Sequence, residues 1–249
     1  MNNLTIRAFK AVDEPETCAQ FIAQHRKVLE DFGIAHVNTN TDSWVTDPDV
    51  YVIIAEAPGQ GMVGGLRLEL ANDLRRLPMV EALEKLDGRI GRSVSKWAEG
   101  GCAEICGLWN SNQYAGRGLP TLLGYAAVAI ANQVGVRSLV CLIAHYTLRH
   151  ALRVGFTIME DIGEEGTFTY PIPSIKAIAL VMPDAILLNH AQNRHRLPVL
   201  SLRMRPNQVR IEQPAHEPIM VHYALQLDSL LIDMAAYQEL NDYRLKYTA

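Results

Sequence analysis

The chain has 249 residues, 49% apolar and 20% charged, with a net charge of −4, which describes a globular protein, neither disordered nor fibrous. The acidic balance argues against a dedicated nucleic-acid binder, which carries a basic excess, and no apolar run reaches the roughly 20 residues of a membrane span. The start, Met1 to Arg7, lacks the apolar core of a signal peptide, so the expected setting is cytoplasmic, with the four cysteines as buried free thiols.

In chain order, Leu4 to Phe9 alternates as a first strand. Glu14 to Phe32 carries Cys18, Phe21, Ile22, His25, Val28, Leu29 and Phe32 at helical spacing and ends before Gly33. The polar segment Asn38 to Asp49 is expected to cover a site. Val50 to Glu56 and Met62 to Leu70 read as strands joined through Pro58-Gly59-Gln60-Gly61. Asp73 to Leu86 is expected as a surface helix and Gly88 to Gly101 as a basic, mobile loop. Cys102 to Trp109 is a short apolar strand and Leu119 to Val134 a helix. Arg137 to Ala144 is a strand, Tyr146 to Val154 an amphipathic helix closed by Gly155, and Ile175 to Met182 a last strand. This order predicts an α/β protein with a mixed sheet; a doubly wound dinucleotide fold would alternate strand and helix more strictly. Residues 1–183 form the expected main domain. Residues 184–249 are expected as a C-terminal extension: Ala185 to Ile211 holds Arg194, Arg196, Arg203, Arg205 and Arg210 with no acidic residue, and Val221 to Tyr243 reads as one amphipathic helix.

The segment richest in chemistry is Gln113-Tyr-Ala-Gly-Arg-Gly118, between a strand and a helix. A glycine-rich turn opening a helix leaves N–H donors unpaired and aims the positive end of the helix dipole at an anion. Gly116 and Gly118 lack the Cβ that would keep a phosphate oxygen from the backbone, and Pro120 fits just inside the helix start. The expected ligand is a pyrophosphate. No metal is expected, because Cys102 and Cys106 match no usual zinc spacing and His190 and His195 have no cysteine or carboxylate nearby.

Together with His150-Ala-Leu-Arg-Val-Gly155-Phe156, this turn resembles the GNAT acyltransferase superfamily, whose motif is Gln/Arg-x-x-Gly-x-Gly/Ala. The resemblance covers roughly Leu4 to Met182 and implies a GNAT-like mixed central sheet flanked by helices. A more specific likeness is to acyl-homoserine-lactone (autoinducer) synthases and long-chain N-acyl amino acid synthases. It rests on Arg26, Arg67, Leu77-Pro78, Trp97 and Glu104; Gly107 stands where that subgroup has an arginine after the glutamate.

The resemblance implies an N-acyltransferase that moves an acyl group from a thioester to the amine of a small acceptor such as an amino acid. The donor is acyl-CoA or acetyl-CoA, with acyl-phosphopantetheine on an acyl carrier protein as the alternative. The alternative function is a non-catalytic GNAT-fold sensor that binds acyl-CoA. Donor contacts are expected from Leu108, Trp109, Gln113, Gly116, Arg117, Gly118, Leu119 and Pro120, with the strand's edge groups meeting the pantetheine amides. Glu104 is the candidate general base, or else a strand carboxylate paired with Arg67. His145 is a second candidate, or a polar residue at a strand end. Ala151 occupies the usual position of a tyrosine general acid. Arg26 and Arg67 are candidates for gripping an acceptor carboxylate, or for internal ion pairs with Glu104, Asp42 or Asp49. Trp44 and Trp109 either line a pocket or fill the core. The arginine-rich segment 194–210 has four readings: an acidic carrier protein, the adenosine phosphate of coenzyme A, a solvated face, or a homodimer contact.

Overall fold

The structure is a computed structural model that describes residues 2–31, 33, 34, 42–72 and 76–227. Its strands are β1 (Asn2–Lys10), β2 (Val50–Ala57), β3 (Gly61–Leu70), β4 (Cys102–Asn110), β5 (Ser138–Ala144), β6 (Thr157–Ile158), β7 (Thr167–Thr169), β8 (Lys176–Met182), β9 (Asn207–Glu212) and β10 (Ile219–Ala224). The helices are α1 (Pro15–Asp31), α2 (Pro78–Leu83), α3 (Ile90–Ala98), α4 (Leu119–Ala131), α5 (Leu148–Val154) and α6 (Asn193–Met204). The described residues form one ten-stranded sheet in the order β6-β8-β5-β4-β3-β2-β1-β10-β9, with β7 also on β8. Only β4–β5 and β1–β10 run parallel, so the mixed α/β sheet expected from the element order is what the chain builds.

Apolar clusters lie on both faces of the sheet. On one, α4, α5 and α6 pack over the sheet's centre, and nearly every residue of α4 is buried. On the other, α1 covers β2 and the end of β4 through Cys18, Phe21 and Trp109, while α2 and α3 cover β4, β5 and β8. Gly64 and Gly65 on β3 let both layers approach. A Cβ on Gly64 would lie 2.9 Å from the Leu119 side chain of α4, and one on Gly65 would lie 2.7 Å from Phe21 of α1 and 2.8 Å from the Ile53 carbonyl.

Several expectations change. Gly88 to Gly101, expected as a loop, contains α3. Ile90, Val94 and Trp97 recur at helical spacing, and Ile90 and Val94 are buried; the flanking glycines and basic residues mask that stripe in the sequence. The expected surface helix at 73–86 is the six-residue α2, started by Pro78 and buried through Pro78, Met79, Val80 and Leu83; residues 73–75 lie outside the described residues. The start of the expected tail helix at Val221 falls in β10, where Ile219, Val221 and Tyr223 are buried at period two and pair with β1. The rest of that segment, from 228, lies outside the described residues, as do residues 38–41 of the expected covering segment. Residues 193–224 therefore add one helix to the α4 face and two strands to the same sheet. All four cysteines are buried free thiols.

Because the Ile53 carbonyl cannot step aside, Gly65→Ala should lower the unfolding free energy by about 1–3 kcal/mol. Urea denaturation checks this, and an unchanged midpoint would count against the close α1–β3 packing.

Candidate active site

β4 carries the site. It pairs with β5 only from Cys102 to Glu104, against Ser138 to Val140. Beyond Glu104 the two parallel strands share no register, so among the described residues β4 from Ile105 to Asn110 has no strand partner on the β5 side. On its other side β4 stays paired with β3, interrupted by one bulge: Gly65 opposes Trp109 and Arg67 opposes Cys106, so Gly107 and Leu108 together face only Leu66. Gly107 occupies the left-handed region at φ 60°, a conformation that favours glycine. The bulge brings Cys106 and Trp109, three residues apart, onto the same face under α1.

The cleft between the diverging strands opens at their C-terminal ends, where α4 and α5 begin. Crevices at the carboxyl ends of parallel strands are the usual ligand positions of α/β sheets. At the mouth, a 3-10 turn (Asn112–Tyr114) leads through Gly116 (φ 73°) to Gly118 (φ 77°), the residue that caps α4. The amides of Gly116 and Gly118 have no acceptor among the described residues, whereas Arg117 donates to the Tyr114 carbonyl and Thr121 to that of Gly118. The two glycines differ in purpose. A Cβ on Gly116 would meet open space, but one on Gly118 would lie 2.6 Å from Pro214 of the β9–β10 loop. Gly118 is thus explained by packing, and Gly116 is the position open to an approaching anion. Gln113 and Arg117 are exposed, with the Arg117 guanidinium 5.5 Å from the Tyr114 ring centroid. Leu119 is buried in the α4 core and Pro120 half-buried.

On the opposite face, under α1 and α2, a polar group lies between two apolar clusters. Arg67 and Glu69 of β3 stand across from Cys106 and Glu104 of β4, and all four are buried. The Arg67 guanidinium pairs with Glu69 Oε1 at 2.9 Å, donates to Cys106 Sγ at 3.5 Å, and stacks 4.5 Å above the Trp44 ring. Desolvation opposes the charge on Arg67, but the Glu69 carboxylate and the hydrogen bond to Cys106 outweigh it and raise its pKa. Burial, then Glu69, pushes the Cys106 thiol well above its usual range, so it stays protonated and donates to Glu69 at 3.3 Å. A thiol held this way is no nucleophile. Glu104 Oε2 accepts the Met79 amide of α2 at 2.8 Å, which places a carboxylate at a helix start with no other side-chain cap.

The expected residues thus separate. Glu104 marks the closed end of the cleft, where pairing with β5 stops. His145 is exposed in the turn after β5, five residues beyond the Val140 that opposes Glu104, or about 16 Å along an extended strand. The two cannot act on one atom. Arg26 is exposed on α1, while the preceding His25 is buried against Phe21. A Cβ on Gly107 would lie 3.5 Å from Arg67 and 3.7 Å from the His25 ring. Trp44 and Trp109 are both buried edge-on to Phe21, and neither indole N–H has a hydrogen-bond partner among the described residues. Leu108 is 43% exposed. Of the two readings for Arg67, the internal ion pair is present, and it includes Glu69, a partner outside the expected Glu104, Asp42 and Asp49. That partner was readable in the alternation Gly-Gly-Leu-Arg-Leu-Glu-Leu, which puts Arg67 and Glu69 on one side of β3. His25 and Cys106, absent from the candidate set, give no such signal. A shallow cleft of about 390 Å³ between α3, β6 and β8 includes no residue of β4 or the glycine turn.

No protein-family model and no curated protein matches this sequence. Solved structures do match. An N-acyl amino acid synthase from uncultured soil microbes, FeeM, aligns with a TM-score of 0.56 over 79% of this chain and 99% of its own, at 13% identity. The chain has the GNAT acyltransferase fold. A CoA-dependent acyl-homoserine lactone synthase, BjaI, with SAM and isopentyl-CoA, aligns at 0.53 over 94% and 99% of the two chains at 13% identity. An acyl-CoA N-acyltransferase from Pseudomonas aeruginosa aligns at 0.52 over 72% and 98% at 16% identity. The longer BjaI coverage fits the GNAT sheet being extended here by residues beyond 184. None of the helices among the described residues is long and apolar enough to cross a membrane.

His25 gives the site a pH signature. Burial and then the Arg67 charge lower its pKa to about 4, against about 6.5 in an unfolded chain. The folded value is the lower, so the stabilisation is complete above about pH 6.5 and is lost as pH falls toward 4, at most on the order of 3 kcal/mol. Urea unfolding at pH 7.5 and 4.5 should show a smaller difference in His25→Gln than in the wild type; equal differences would mean that His25 titrates normally.

Proposed function

We propose that the protein is an N-acyltransferase that moves an acyl group from a coenzyme A thioester to the amine of a small acceptor, such as an amino acid. One observation carries the reading: among the described residues, the β5-side edge of β4 has no strand partner from Ile105 to Asn110 and leads to a glycine turn whose Gly116 and Gly118 amides have no acceptor. A phosphopantetheine arm is an extended chain of amides ending in a diphosphate, and this edge and turn complement both parts. The GNAT fold supports it, since FeeM is described as an N-acyl amino acid synthase, BjaI as a CoA-dependent acyl-homoserine lactone synthase and the Pseudomonas protein as an acyl-CoA N-acyltransferase.

In this reading the donor enters from the α4–α5 face and the acceptor from the α1–α2 face. The thioester carbon then lies near Glu104, where the strands part. The attacking amine must lose a proton, and Glu104 is the carboxylate at that point, acting directly or through a water. Unpaired β4 amides polarise the carbonyl. The leaving thiolate has a parent pKa near 8.5 and needs no strong acid, which fits Ala151 at the usual tyrosine position. The unpaired indole N–H groups of Trp44 and Trp109 would be satisfied by the acceptor's own oxygens. Arg67, already engaged by Glu69 and Trp44, sets the field around Glu104. Holding both substrates in one cleft supplies up to about 7–11 kcal/mol when alignment is good.

A binding-only sensor is favoured by one feature, the use of Glu104 as the acceptor for the Met79 amide. Glu104→Gln separates the two readings, because the glutamine oxygen keeps that hydrogen bond and loses the basicity. With purified protein, acyl-CoA and an amine mixture, free-thiol release should fall about 100-fold or more in Glu104→Gln, with coenzyme A affinity unchanged. Thiol release at background in the wild type, with tight coenzyme A binding, would establish the sensor instead. Gly116→Val should weaken coenzyme A at least about tenfold, or 1.4 kcal/mol, by blocking the open side of the turn; a folded variant with wild-type affinity would refute the turn as the diphosphate site.

A further inference from the structure

The seam between α5 and α6 concentrates positive charge that the reaction above does not use. Segments 148–154 and 185–211 contain no Asp or Glu. The two helices are held together there: the Gln192 amide donates to the Arg153 carbonyl at 3.0 Å, and Gly155 leaves room for Ala191, whose amide nitrogen would lie 3.1 Å from an added Cβ. Arg149, His150, Arg153, Arg194 and His195 gather at this junction. Arg194 Nε donates to His195 Nε2 at 3.1 Å, and the other ring nitrogen of His195 meets the Tyr125 hydroxyl of α4 at 2.5 Å. Among the described residues no carboxylate forms an ion pair with Arg149, Arg153 or Arg194. The first turn of the twelve-residue α6 has no acidic residue and no side-chain cap.

The crowding has an electrostatic mark. Desolvation, then Arg149 and Arg153, lower the pKa of His150, and desolvation, then Arg194, Arg153 and His150, lower that of His195. Like charges held together with no counter-charge favour a bound anion of more than one charge.

Position indicates which anion. α5 starts where β5 ends, at the mouth of the cleft, and Tyr125 lies six residues into α4, about 9 Å from the head of that helix. The seam is therefore one short step from the glycine turn on the donor side. The charge is compact and not a broad docking face: Arg196 is buried, and Arg203 is spent on the carbonyls of Val128, Ala185 and Ile186. A single phosphate monoester fits this better than an acidic protein surface.

We propose that the α5–α6 seam is a phosphate subsite for the 3′-phosphate of coenzyme A, with Arg153 and Arg194 as its principal ligands. This rests on the donor reading above and deepens it: the protein discriminates coenzyme A from pantetheine donors that lack the third phosphate.

Isothermal titration of the full chain with coenzyme A and with 3′-dephospho-coenzyme A tests it. The wild type should bind coenzyme A at least about tenfold more tightly than the dephospho form. Arg153→Gln/Arg194→Gln should bring the two affinities within about threefold of each other while leaving that for the dephospho form unchanged, with a wild-type melting curve. Arg194→Gln alone, at an exposed position, should narrow the ratio part-way and serves if the double variant unfolds. Equal affinities in the wild type, or a ratio retained in a folded variant, would overturn the subsite and leave the donor reading standing. Failure of both ligands to bind would overturn the donor reading and the subsite with it.

Discussion

The structure turns on the parting of two parallel strands. β4 and β5 share three residue pairs and then diverge, so among the described residues a strand in the middle of a ten-stranded sheet keeps an edge with no strand beside it. Buried backbone donors and acceptors without partners are costly, and such an edge is an obligation that only a ligand or water can meet. Two features near the cleft serve the opening. The bulge at Gly107 allows β4 to change its course without leaving β3, and the glycine turn starts α4 directly at the mouth.

The parting also divides the labour between faces. One face carries α4, α5 and α6 with the glycine turn and the basic seam, chemistry suited to a polyanionic donor. The other carries α1, α2 and α3 with a buried polar group whose members satisfy one another. Arg67, Glu69 and Cys106 bond one another, neutral Cys106 and positive Arg67 both answering Glu69, and Trp44 covers the guanidinium. Removing a single member of such a buried set leaves another unpaired, which costs more than the set contributes. Glu104 is the member at the boundary between the faces. The Met79 amide orients it, and the end of the β4–β5 pairing brings it next to the cleft.

Residues beyond 184 take part in this architecture. β10 pairs in parallel with β1 and β9 forms an edge, while α6 lies on α4 and α5 and supplies half of the basic seam. The β9–β10 loop brings Pro214 against Gly118. These residues therefore shape the surroundings of the glycine turn.

Local patterns determined much of this protein from sequence alone. The period-two strands and the amphipathic α1 were legible, as was the apolar α4 opened by Gly118 and Pro120, because each is encoded by neighbours a few residues apart. The same holds for the mixed sheet and for the glycine turn at the head of α4. What depended on distant contacts was not legible. Segment 219–224 reads equally as the start of a helix until β1 offers it a partner, and α3 is hidden among glycines until α2 and β5 give its stripe a surface. Glu69 lies two residues from Arg67 on its own strand, but only the register of β3 against β4 put Cys106 beside them. The separation of His145 from Glu104 likewise follows from where β5 stops pairing. Such choices are made by register, burial and the crossing of remote segments, quantities that a one-dimensional string carries only when the chain closes on itself.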